Sequence, residues 1–278
     1  MNNQDFELTL LTEEEVYGDS KVLPLDVFRK HGIVSAVTDL LIITGGTYSE
    51  NGECFVFGDD SLRGRSGSFV TKSSFDRRVL DVNSFAFKGK CFPCERNLNI
   101  RPVLQFKSNK KIENNNVSEI NMGWYPQYAP SFDIQKILEI QYLCDFLKTT
   151  GNCYYVGLEK CNEYVYDEKK YIRVKVNLSL GTTCRKNEIL LSNGIKYQNG
   201  DYVWLEASPV GWLVDYKTQK LISKRCLLSG IRFKNDLSYD GNFNDTEMYN
   251  YLNNYMIYDL FQSNNYMEDN NKIYTKKR

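Results

Sequence analysis

Between residues 153 and 230 turn signals come so often that no long helix fits. Asn193-Gly194 and Asn199-Gly200 are dipeptides whose tolerance of positive φ suits tight hairpin turns. Tyr164 to Val176 alternates apolar and polar residues around a turn at Asp167 to Lys169, and Leu221 to Leu228 follows another turn at Lys217 to Gln219. Such alternation puts one face of each strand in a core. Val203, Leu205, Trp212 and Val214 are the inward candidates, so this region reads as strands and hairpins.

Two stretches read as long helices. Ser131 to Thr150 sets Ile134, Ile137, Ile140, Cys144 and Leu147 at three- and four-residue steps, one helix face that Gly151 would end. Asn244 to Phe261 sets Met248, Leu252, Met256 and Leu260 at steps of four, with Tyr251, Tyr255 and Tyr258 beside them. Asn244 and Glu247 suit its N-cap and N3 positions. Shorter elements fill the first third. They are a strand at Phe6 to Leu11, a helix starting at Thr12, a helix from Pro24 to Lys30 ended by Gly32, and a buried strand within Thr38 to Thr44 ended by Gly45 and Gly46. Residues 51–102, rich in Gly, Ser, Phe and Arg, show no helical period and read as short strands and long loops. The fold class is α+β and β-rich. The Asn-rich segment Ser108 to Glu119 reads as a linker, which divides the chain into 1–108, a linker at 109–120, a second part at 121–264 and a tail at 265–278.

Charge and composition exclude several functions. Lys plus Arg and Asp plus Glu both total 35, so the excess basic charge that drives phosphate binding is missing and nucleic acid is not an expected partner. Met1 to Leu10 lacks the basic and apolar regions of a signal peptide. The longest apolar run, Leu40 to Ile43, falls far below the ~18 residues of a spanning helix. No membrane insertion is expected, and the chain is expected to be cytoplasmic or virion-associated. Of eight cysteines only Cys91 and Cys94 form a CxxC pair, and His31 is the single histidine. A structural zinc site would need a second pair or more histidines, so no metal and no cofactor is expected. His31 has no visible catalytic partner and suits the end of the helix before Gly32. Asp59-Asp60 lacks EF-hand spacing, and Gly45-Gly46 is not followed by a phosphate-cradling pattern.

Several short motifs together resemble a bacterial family of uncharacterised domains related to the formylglycine-generating-enzyme fold, which is itself C-type-lectin-like. The residues that carry the resemblance are Gly123 to Gln127, Trp212-Leu213-Val214, Leu221-Ile222-Ser223, Tyr251-Leu252-Asn253, Leu10 to Glu15, Thr38-Asp39 and Ile100 to Leu104. Their order here is reversed relative to that family, so a permuted arrangement is expected, in which both parts pack together. The resemblance implies a C-type-lectin-like core with two long helices. It also implies a display face of the kind diversified by retroelements, which falls on 66–99. The candidate contacts are Phe69, Phe75, Asp76, Arg78, Asp81, Asn83, Phe85, Phe87, Phe92 and Asn97, aromatic, Arg and small polar residues of the kind that anchor binding surfaces. The function read from this is recognition of a protein or glycan partner, without catalysis. One alternative is a formylglycine-generating-type enzyme using Cys91 and Cys94, with Lys88, Lys90 and Arg96 to lower a thiol pKa. Another is a scaffold or virion component that oligomerises through the tyrosine-rich helix 244–262.

Overall fold

The computed structural model describes residues 6–33, 35–46, 48, 66–82, 88–96, 98–107, 112, 117–157, 159–178 and 187–262. A strand, β1 (Phe6–Thr9), leads into α1 (Glu13–Tyr17), α2 (Asp26–His31), β2 (Ser35–Val37) and α3 (Asp39–Ile43). Thr12 starts α1 through a capping box. Its hydroxyl accepts from the Glu15 N–H, and the Glu15 carboxylate accepts from the Thr12 N–H. Gly32 ends α2.

The run Leu40 to Ile43 is part of a helix and not the expected strand. Thr38 caps it by accepting from the Leu41 N–H. Every residue of α3 is buried, so the run is apolar all round and its periodicity carries no information. Asp39, also buried, accepts from the Ala129 and Ser192 backbone N–H groups and from the Ser192 hydroxyl.

Next come β3 (Ser66–Gly67), β4 (Phe69–Phe75), β5 (Arg78–Val82), β6 (Lys88–Cys91), β7 (Val103–Phe106) and β8 (Glu119–Tyr128). The second half holds α4 (Phe132–Leu143), β9 (Lys148–Val156), β10 (Glu159–Tyr166), β11 (Lys169–Lys175), β12 (Glu188–Leu190), β13 (Lys196–Gln198), β14 (Tyr202–Asp215), β15 (Lys220–Ser223) and β16 (Arg225–Cys226). It closes with α5 (Glu247–Tyr251), a π-helical stretch over Leu252–Met256, and α6 (Ile257–Phe261). The described residues are thus mixed α+β and β-rich. None of their helices is long and apolar enough to cross a membrane.

The main sheet runs β1-β7-β15-β14-β11-β10-β9, with β8 also paired to β14. Strands from both sides of the Asn-rich segment therefore share one sheet. In β14, Glu206 faces both Tyr171 of β11 and Tyr128 of β8, while Leu213 faces both Ile222 of β15 and Glu119 of β8. It follows that β11 and β15 lie end to end along one edge of β14 and β8 lies along the other. The β8 register slips between Glu206 and Ala207 and again between Pro209 and Gly211. Pro209 is tolerated at these bulges because it donates nothing to a ladder.

The expected long helix at 131–150 is only α4. The chain turns at Asp145, whose φ is 58°, and Gly151 lies inside β9. The expected apolar face is only partly the buried one: Ile134 and Leu147 pack against Leu138, Tyr171 and Trp204, but Ile140 and Cys144 are exposed, and Gln135 and Leu138 are the buried positions. Hydrogen bonds join the packing of Leu138 against Tyr171 and Trp204 in docking α4. The Gln135 amide donates to the Trp204 carbonyl at 2.7 Å and accepts from the Trp204 N–H at 3.0 Å. It fills the free edge of β14 beyond the end of β8 as a neighbouring peptide unit would. Glu139 binds Arg173 through two hydrogen bonds and accepts from the Trp204 indole at 3.0 Å.

The C-terminal helix treats the two outer strands in the same way. Thr246, rather than Asn244, caps α5 by accepting from the Tyr249 N–H. The π stretch carries Asn253, whose amide accepts from the Leu8 N–H at 2.9 Å and donates to the Leu8 carbonyl at 2.8 Å on β1. At the far edge, Asp259 accepts from the Tyr155 N–H of β9 at 2.7 Å, and Gln262 accepts from the Cys153 N–H. The helix therefore bridges both ends of the main sheet. Met248, Leu252, Met256 and Leu260 are buried as expected. Gly123 of β8 lets α6 approach, because a Cβ there would sit 3.2 Å from the Leu260 carbonyl oxygen, and its φ is +71°.

Two predictions follow from these edge contacts. Gln135→Ala leaves a buried N–H and a buried carbonyl of Trp204 without partners and should cost about 2–4 kcal/mol in urea denaturation. A loss well under about 1 kcal/mol would mean that α4 docks by apolar contact. Burial pushes the Asp259 carboxyl from its ordinary 3.8 up to about 7. Between those values the folded chain holds a proton that the unfolded chain has released, so stability falls as pH rises from about 4 to about 7. Asp259→Asn should remove that fall, a differential of about 2–4 kcal/mol between pH 4 and pH 8. Parallel stability curves for the variant and the wild type would contradict this.

Candidate functional site

Strands β4, β5 and β6 form a separate antiparallel sheet, built from the segment in which the sequence places its display face. The β4–β5 turn has two residues, Asp76 and Arg77, with φ of 52° and 59°, as in the mirror-image turns that match hairpin twist. Across it Phe75 faces Arg78, and one strand over Leu80 faces Lys90. The Arg78 guanidinium lies 4.4 Å from the centre of the Phe92 ring, and the Lys90 ammonium 3.8 Å from the centre of the Phe75 ring. Phe75 is 56% exposed and Phe92 40%. Two aromatic rings and two cations thus stand together at one solvent-facing end of the sheet. Among the described residues neither Arg78 nor Lys90 has a carboxylate partner.

The opposite end of this small sheet is anchored in the core. Phe69, Val70 and Val82 are fully buried there, and Val79 beside the turn is buried too. The Lys72 N–H donates to the Leu11 carbonyl and the Val70 N–H to the Asn99 carbonyl. Tyr239 clamps the hairpin from outside, with its N–H donating to the Arg77 carbonyl and its hydroxyl to the Lys72 carbonyl. The aromatic and cationic groups therefore project from a fixed support. Lys88 is occupied by an ion pair with Glu13.

The predicted contacts divide accordingly. Phe75, Asp76, Arg78 and Phe92 come together at the exposed end. Phe69 does not join them. It is 1% exposed and lies under Arg101, whose guanidinium sits 5.2 Å from the Phe69 ring and 5.3 Å from the Phe28 ring. Arg101 also donates to the Ser223 and Ile33 carbonyls. Burial pulls its pKa from 12.5 to about 10, so the Arg-Pro-Val-Leu motif supplies a buried structural cation. Asp81 is in β5 opposite Val70 and Gly89. Asn83, Phe85, Phe87 and Asn97 lie outside the described residues, as do Asp59 and Asp60.

Cys91 and Cys94 are thiols and are not joined to each other by a disulfide. The Cys91 thiol faces the Val79 carbonyl at 3.6 Å within the small sheet. Among the described residues no cluster of His, Cys, Asp and Glu could hold a metal ion.

Sequence reasoning misses a concave site. A cavity of about 400 Å³ lies between the β9–β10 turn, the end of β11, the loop after β16 and the first turns of the C-terminal helix. Its lining comes from separate segments, with Arg96, Val156, Val174, Ile231, Arg232 and Tyr255 among them. No spacing in the sequence links these residues.

Compared with known proteins, the chain matches no protein-family model, no curated protein and no solved structure.

Face and core residues of the small sheet should separate cleanly in denaturation experiments. Phe69→Ala should cost about 3–5 kcal/mol, and Phe75→Ala or Phe92→Ala under about 1 kcal/mol. A large loss at Phe75 would make its ring part of the scaffold instead.

Proposed function

We propose that the chain is a recognition protein that holds an acidic glycan against the exposed end of the β4–β5–β6 sheet. The observation that carries this reading is the quartet of Phe75, Lys90, Arg78 and Phe92, exposed on a fixed support, with cations that have no carboxylate partner among the described residues. Each ring carries a cation over one face, and its other face would offer an apolar plane to a sugar ring. Arg and Lys beside it offer charge-assisted hydrogen bonds to carboxylate or sulfate groups. The whole chain is neutral, so selectivity for acidic partners would come from this local patch. Arg77 at the turn adds a further cation.

The resemblance to lectin-like domains fits a display face of this kind, and diversification of 66–99 by a retroelement belongs to the same reading. A protein surface of like acidity is the other partner this chemistry would accept. Catalysis is not part of the proposal.

Heparin, an acidic glycan, is the probe. The wild-type chain should be retained on a heparin column at about 50 mM salt, and Arg78→Ala/Lys90→Ala should elute at distinctly lower salt. Phe75→Ala/Phe92→Ala should weaken retention without altering net charge. A wild-type chain that passes straight through, or coincident elution of all three, would sink the reading.

A further inference from the structure

We propose that the cavity beside the C-terminal helix is a second binding site, for a small molecule with an apolar body and one anionic head. Its volume, about 400 Å³, is within the range of small-molecule pockets. Val156, Val174 and Ile231 with the Tyr255 ring form its apolar walls. The charges on the wall are Arg96, Lys175 and Arg232 against Glu159 and Glu247, which leaves one positive charge in excess. Among the described residues none of these five forms an ion pair.

Arg232 points to the charge of the ligand. One terminal nitrogen of its guanidinium donates to Asn235. Its Nε is buried and, among the described residues, has no hydrogen-bond partner. An arginine cannot escape such a position by losing its proton, so the missing partner is an acceptor. A carboxylate, sulfonate or phosphate in the cavity would supply one once the guanidinium turns its Nε edge toward it, and the planar fork suits two parallel bonds to such a group. A neutral apolar ligand would fill the walls but leave Nε unmet. A cationic ligand would meet the excess positive charge.

The site is independent of the β4–β5–β6 face, since none of that quartet lines the cavity. Its occupant differs in kind too, being a molecule small enough to be enclosed. The two proposals therefore fail separately, and heparin retention reports nothing about this cavity.

The test uses the full chain and two fluorescent probes. One is 8-anilinonaphthalene-1-sulfonate, which has an apolar body and an anionic head. The other is N-phenyl-1-naphthylamine, of similar shape and without the charge. Wild type should bind the anionic probe saturably at one site. Arg232→Gln should weaken it about tenfold or more and change binding of the neutral probe less than about twofold. Val174→Trp, which fills the cavity, should abolish binding of both. Should Val174→Trp fail to give a cooperative melt, Arg232→Gln alone decides. Leu143→Asp, on the exposed end of α4 away from the cavity, should change neither and serves as the control for non-specific adhesion. The proposal is overturned by absence of saturable binding, by equal effects of Arg232→Gln on both probes, or by loss of binding in Leu143→Asp.

Discussion

A backbone N–H or carbonyl shut away from water must find a partner, and in this chain side chains provide partners where strands run out. The Gln135 amide completes β14 at Trp204, and the Asn253 amide completes β1 at Leu8. Asp259 and Gln262 accept from the outer N–H groups of β9. Each contact removes an unmet polar group that would otherwise cost about 1–3 kcal/mol. Together they explain why a sheet whose outermost strands are far apart in sequence can be tied at both ends by one helix. The π stretch at Leu252–Met256 lies where the helix passes from β1 toward β9, a local widening of the kind that recurs at positions under functional or packing constraint.

The support for the exposed quartet follows from this closure. Strand β14 is hemmed in by β11, β15 and β8, and the core it organises includes Val203, Leu205, Trp212 and Val214. The loop after β16 leaves that core and runs along the small sheet, giving hydrogen bonds from Gly230 to Arg96, from Lys234 to Pro93 and from Tyr239 to Arg77. The same loop brings Ile231 and Arg232 to the cavity. One segment thus braces the small sheet and lines the cavity.

How much of this could be read from the sequence depended on whether a signal was local. Turns at Asn193-Gly194, Asn199-Gly200 and Asp167-Glu168 were legible because their chemistry is contained in a few residues. So were the Thr12 cap and the buried stripe of the C-terminal helix. Leu40 to Ile43 misled because a fully buried run has no period. Ile140 and Cys144 misled because α4 docks through Gln135, Leu138 and Glu139, two of them polar residues that pattern reading assigns to solvent. Phe69 and Phe75 are chemically the same residue a few positions apart, yet one is core and one is surface. The difference lies in Arg101 and the main sheet, distant in sequence from both. The cavity was illegible for the same reason, since its walls are assembled from segments that share no motif.

The position of the C-terminal helix has a consequence for how copies of this chain behave toward one another. Because it covers β1 and β9 together, its detachment would bare two unpaired strand edges in one event. Exposed edges of that kind recruit strands from other molecules. The helix therefore covers the edges at which strand exchange could start, and anything that loosens it, including ionisation of the buried Asp259, would open those edges to strands of neighbouring molecules.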